Sequence, residues 1–211
     1  MPGRSHTRRW RQISGILSLI ALSALAAPAA ALTPLADFSA SRYQGRWYEI
    51  AAIPGFFRNQ CQRDVQLDYA IEDGGALMMR NRCLRPDGTV LENEGRGRAL
   101  DPDLPSVLKV TFVHAFGIWW YPFGRNLIVF AAGPGDRWLA IGDPSLSYGR
   151  VIARDPSVDA QTLRTIDAAL AASGFDHCAF MLKPQAGGKP EPARLCDQVP
   201  GPLKSVAPGS Q

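Results

Sequence analysis

Four cysteines and three histidines are the side chains of this 211-residue chain best equipped for covalent or metal chemistry. Their spacing argues against both. Cys61, Cys83, Cys178 and Cys196 form no Cys-x-x-Cys pair, and His6, His114 and His177 do not cluster with them, so no zinc or other metal site is expected. A hydrolase needs a nucleophile beside a base, yet the chain has no Gly-x-Ser-x-Gly and no phosphate-cradling loop. No catalytic residue is assigned, no cofactor is implied, and the chain is read as a non-enzyme. An even number of cysteines in an exported chain instead suggests two disulfides, for which three connectivities exist.

Export is legible in residues 1–31. Arg4, Arg8, Arg9 and Arg11 form a basic start, 13–27 is an apolar run too short for a membrane span, and Ala27-Pro28-Ala29 or Ala29-Ala30-Ala31 offers small-residue cleavage sites. The Arg8-Arg9 pair leaves twin-arginine export open. The chain carries 23 Lys+Arg against 19 Asp+Glu; losing four arginines and no acids leaves 19 of each. The basic balance therefore belongs to the export signal, and a nucleic-acid partner is not supported. The expected organisation is a signal peptide at 1–31, one domain at 32–183, and a Pro- and Gly-rich tail at 184–211. The expected location is the periplasm or the exterior, soluble after cleavage.

Short alternating runs fill the domain. Val65, Leu67, Tyr69 and Ile71 share one face of a strand, and Val107 to Val113 alternates likewise. Strands are expected at 46–52, 65–71, 76–83, 89–100, 107–113, 126–132, 137–142 and 148–154, with turns at Asp73-Gly74-Gly75, Pro86-Asp87-Gly88, Gly133-Pro134-Gly135 and Asp143-Pro144-Ser145. Residues 160–173 make the one convincing helix, capped by Ser157 or Asp159 and ended by Gly174, and 178–183 suits a ninth short strand. The fold class is all-β: an eight-stranded antiparallel up-and-down calyx barrel with one C-terminal helix. Cys61 and Cys83 share inward parity on neighbouring strands, which favours their pairing and leaves Cys178 with Cys196. A plain hairpin register, however, sets Cys83 opposite Asp64 or Val65, so that pairing requires a bulge.

Two separated motifs carry a family resemblance. Gly45-Arg46-Trp47-Tyr48-Glu49-Ile50 resembles the start of the first lipocalin strand, and Val151-Ile152-Ala153-Arg154-Asp155-Pro156 the end of the last. Ile53-Pro54-Gly55-Phe56-Phe57 and Asn81-Arg82-Cys83 are similar to sequences of the bacterial lipocalin and apolipoprotein D branch. The resemblance implies a structural role for Gly45, Trp47 and Arg154: glycine turns the chain into the strand, the indole plugs the floor, and the guanidinium caps the indole. It implies a small hydrophobic ligand in the barrel, a fatty acid or lysophospholipid, carried or stored by the protein. It also suggests Cys61–Cys196 as the alternative disulfide. No cysteine stands near the cleavage site, which argues against the lipid-modified form found in bacterial relatives.

Strand parity names the ligand residues. If Trp47 points inward, so do Glu49 and Ala51; if Arg154 does, so do Ile152, Arg150 and Tyr148. A charge within an apolar calyx must be paired. Arg150 therefore either receives a ligand carboxylate or phosphate, pairs with Glu49, or is turned outward by a bulge. Tyr69 and Phe112 are inward candidates. Phe56, Phe57, Trp119 and Trp120 lie on loops at the mouth, where the aromatic stretch 114–124 could line the calyx, fold over it as a lid, or make transient membrane contact.

Overall fold

A computed structural model describes residues 32–55, 58–188 and 191–199. Eight strands form the barrel: β1 Gly45–Ala52, β2 Arg63–Ile71, β3 Leu77–Leu84, β4 Val90–Ala99, β5 Val107–Thr111, β8 Arg125–Ala132, β9 Trp138–Gly142 and β10 Gly149–Ala153. Between β5 and β8 stands a small separate hairpin, β6 His114–Ala115 and β7 Ile118–Trp119. All barrel neighbours are antiparallel, and β1 pairs with β10 to close the sheet. Closure leaves β1 and β10 without a free edge between them.

Alternation sends one set of side chains into the barrel: Trp47, Leu67, Tyr69, Met79, Val110, Leu139 and Ile152 belong to this inner layer. The opposite faces of β1, β8, β9 and β10 pack beneath α1 (Ala160–Ala172) through Phe130, Trp138, Val151, Leu163, Ile166 and Leu170. Asp159 caps that helix by accepting from the Thr162 amide at 2.7 Å.

Three register shifts break the expected parity, one of them on β8 between Val129 and Ala131, where Phe130 and Ala131 both join the outer layer. Along β1 the register to β10 shifts between Glu49 and Ala51, so Ala51 joins the outer layer rather than facing inward as expected. Along β2 it shifts between Arg63 and Gln66, around a left-handed Asp64 with φ 54°. The β2 bulge carries Cys61 to Cys83, with Cα atoms 5.5 Å apart. The other disulfide joins Cys178 to Cys196 at 5.0 Å, so the local pairing holds and the Cys61–Cys196 alternative does not.

The bulges on β1 and β2 also open a seam. β1 and β2 are paired only from Gly45↔Tyr69 to Tyr48↔Gln66, and beyond that the chain's C-terminal part fills the gap. β11 (Met181–Leu182) adds to β1, and the Lys183 amide donates to the Ile50 carbonyl at 2.9 Å. The buried Gln185 amide donates to the Glu49 carbonyl at 2.8 Å and the Val65 carbonyl at 3.1 Å. Leu195, in the short helix α2 (Leu195–Gln198), is fully buried. Within the Pro- and Gly-rich stretch expected as a tail from residue 184, Gln185 thus closes the seam and Leu195 packs into the outer apolar layer beside α1.

Candidate functional site

The floor is sealed by the paired motifs. Trp47 is fully buried, and its indole donates to the Tyr43 carbonyl at 2.8 Å. The Arg154 guanidinium carbon lies 3.8 Å from the indole centroid, while its nitrogens donate to the carbonyls of Gln44 and Arg42, each at 2.8 Å. Gly45 has φ 90°, a conformation that side-chain-bearing residues avoid. The arrangement fixes the first strand's start, the last strand's end and the lead-in segment to one another.

Toward the other end the barrel holds a polar cluster. Arg150 faces inward and donates through Nη2 to the Glu49 carboxylate; their side chains are 12% and 2% exposed. The Tyr69 and Tyr148 side chains also act electrostatically on Arg150. Burial opposes the guanidinium charge, but Glu49, Tyr148 and Tyr69 outweigh it and raise the pKa further. Burial also pushes the Tyr69 phenol up to about 12, with Arg150 acting in the other direction. Tyr69 is therefore a neutral hydroxyl at physiological pH, able to donate. Arg150 Nε is buried with no hydrogen-bond partner. A buried donor without an acceptor is costly and calls for an explanation.

At the mouth, Arg125 donates to Asp143 at 2.7 Å, and its guanidinium carbon is 5.1 Å from the Tyr148 ring centroid. Asp143 also accepts from Ser145, Ser147 and the Tyr148 amide. Burial works to raise the Asp143 pKa, yet these donors and Arg125 bring it below the ordinary 3.8. Phe112 lies at the rim, half-exposed, over Gly95, where a Cβ would approach its ring to 2.5 Å. Only glycine leaves room for that ring.

Of the expected ligand residues, the structure brings Glu49, Tyr69, Tyr148 and Arg150 together, with Phe112 at the rim. Trp119 and Trp120 stand apart on the hairpin: Trp119 stacks on His114 at 4.5 Å, and the Trp120 indole donates to the Ala115 carbonyl at 3.3 Å. Phe56 and Phe57 lie outside the described residues. Sequence reasoning missed Gln185 and Arg125. A lone glutamine in a Pro- and Gly-rich stretch carries no pattern, whereas Arg125 shares the inward parity of Leu127 on β8 and was findable. Among the described residues, no group of three His, Cys, Asp or Glu side chains is placed to hold a metal ion, and all four cysteines are in disulfides. No helix among them is long and apolar enough to cross a membrane.

A family model for the lipocalin-like domain matches residues 38–185, spanning floor motifs, barrel, helix and seam. The chain is a lipocalin. It is 29% identical over 161 residues to the outer membrane lipoprotein Blc of Escherichia coli K12, covering 76% of this chain and 86% of that one. Apolipoprotein D of Rattus norvegicus is 36% identical over 77 residues, 36% of this chain and 39% of its own length. These relatives place it in the bacterial and apolipoprotein D-like branch. Among solved structures, insecticyanin of Manduca sexta superposes with a TM-score of 0.58 at 18% identity, covering 74% of this lipocalin and 85% of that chain. That likeness is one of fold.

Proposed function

We propose that this lipocalin is an exported, non-enzymatic binding protein that carries or stores a single-chain lipid, a fatty acid or lysophospholipid, in its barrel. The observation carrying the reading is the inward Arg150, whose buried Nε donor lacks a partner, within electrostatic reach of the neutral Tyr69. An acyl chain suits the apolar inner layer, and a carboxylate or ester oxygen would satisfy the donor. An eight-stranded barrel holds about one such ligand. Membership of a family with outer membrane and apolipoprotein relatives supports the same class. Two disulfides support an oxidising location, periplasmic or secreted. Loading such a ligand calls for transient contact with the membrane that supplies it, at the mouth.

Native mass spectrometry of the exported protein, with solvent extraction of bound material, tests this. One fatty acid or lysophospholipid per chain is expected, and affinity for the extracted lipid should fall when Arg150→Gln and Glu49→Gln are combined. An empty barrel that takes up neither lipid, or a double variant that binds as well as the parent, refutes it.

A further inference from the structure

The hairpin β6–β7 presents its apolar residues to solvent. Phe116 at the tip is 95% exposed and Ile118 59%, and Phe123, in the turn that follows the hairpin, is 71% exposed. Phe116 also has φ 54° in the tip turn, beside Gly117 at 75°. Turns of this kind ordinarily take Asn, Asp or Gly, because a bulky side chain in the left-handed region is strained. The chain thus keeps a strained and fully exposed phenylalanine where a polar residue would serve the turn better.

The stretch of chain that carries the hairpin is basic. No acidic residue occurs between Leu104 and Gly135. On the adjoining outer wall Arg98 and Lys109 stand directly opposite each other on β4 and β5, and among the described residues neither has an ion-pair partner. Like charges in that position repel. Arg98 packs 4.2 Å from the centroid of Tyr121, tying the wall to the loop that follows the hairpin. Acids stand at both ends of the barrel: Glu72, Asp73, Asp101, Asp103 and Asp136 in the floor-end turns, and Asp87, Glu92, Glu94 and Asp143 on the mouth side, where Glu94 is paired with Arg80 and Asp143 with Arg125.

We propose that the β6–β7 hairpin and the wall bearing Arg98 and Lys109 form a docking tip that seats the barrel mouth on an anionic lipid surface. A narrow convex tip suits a soft partner. Apolar side chains flanked by cations are what a phospholipid surface binds. The proposal rests on the lipid-carrier reading for its purpose alone, so the two are measured separately.

The test is co-sedimentation of the signal-cleaved protein with vesicles of phosphatidylcholine, with and without phosphatidylglycerol. Barrel occupancy is followed in parallel with N-phenylnaphthylamine fluorescence. Binding to the phosphatidylglycerol vesicles is expected, weakened at least about tenfold by combining Phe116→Ser and Ile118→Ser. Arg98→Gln and Lys109→Gln should each cost about fivefold on anionic vesicles and little on neutral ones. Probe binding should stay unchanged in all variants. The proposal is overturned by absent vesicle binding, by hairpin variants that sediment like the parent, by hairpin variants that lose the probe (a calyx lining), or by variants that convert a dimer to a monomer (a self-association surface). Failure of the parent to bind probe or any lipid sinks the carrier reading and leaves vesicle docking to be judged on its own result.

Discussion

Replacing Glu49 by glutamine removes one charge from the middle of the barrel and leaves its partner there. Arg150 cannot shed its proton, and its side chain is only 12% exposed. Two unit charges about 4 Å apart at an effective dielectric of 20 attract by about 4 kcal/mol. Breaking a buried pair by removing one member costs about 3–5 kcal/mol. Glutamine keeps an acceptor for the guanidinium, so Glu49→Gln should destabilise by about 3 kcal/mol. For a domain near 150 residues this corresponds to a fall in Tm of about 10 °C. Urea and thermal unfolding with the disulfides intact measure it. Replacing the pair together, Glu49→Leu with Arg150→Leu, should restore stability to within about 1 kcal/mol of the parent, because a packed apolar pair avoids the desolvation cost. In Glu49→Gln a free carboxylate becomes the natural partner of Arg150, so decanoate should raise its Tm more than the parent's. If Glu49→Gln costs under about 1 kcal/mol, water reaches the pair freely and the argument for a desolvated cluster fails.

Three further outcomes follow from the geometry. Phe116→Gly should raise stability by about 0.5 kcal/mol, the left-handed strain of about 1–2 kcal/mol being partly offset by glycine's backbone entropy; a fall in the urea midpoint would mean that Phe116 packs against the barrel. Gln185→Ala strips the donor from two carbonyls in the seam and should cost about 3 kcal/mol, read by denaturation and by faster amide exchange at Lys183. Asp143 has a lowered pKa, so its contribution to stability is present above about pH 3.8 and is lost as pH falls through the lower folded value. Asp143→Asn should flatten the acid side of a Tm-against-pH curve, and an unaltered curve would reject the assignment.

The floor was legible because its chemistry demands particular residue types. An indole that plugs, a guanidinium that caps it and a glycine with positive φ leave few substitutes, and Gly45, Trp47 and Arg154 are found in contact. The eight barrel strands follow from alternation and turn residues, and Arg150 and Tyr148 face inward as parity requires. Parity failed at Ala51, because a bulge inserts one residue without altering the apolar pattern: Ile50, Ala51 and Ala52 suit either face. The need for a bulge near Cys61 was visible, but its position at the left-handed Asp64 was not. The hairpin at 114–119 escaped detection because its strands are two residues long and its turn is Phe-Gly rather than Asn-Gly. The seam was hidden for another reason: Gln185 closes it by a side chain reaching two backbone carbonyls, which no periodicity encodes.

That seam has a kinetic consequence. The first barrel strand is hydrogen-bonded to β10, to β11 and through Gln185 to β2, so its partners are spread over most of the chain. Contacts so distant in sequence form slowly, since a long loop must close before any of them stabilises the fold. A polypeptide that lengthens from its N-terminus presents β1 well before the residues that complete its edge. Until 181–185 are in place, the carbonyls of Glu49 and Val65 lack their Gln185 donor. The wall can therefore close only after nearly the whole domain has been made, and until then the first strand keeps an unpaired edge.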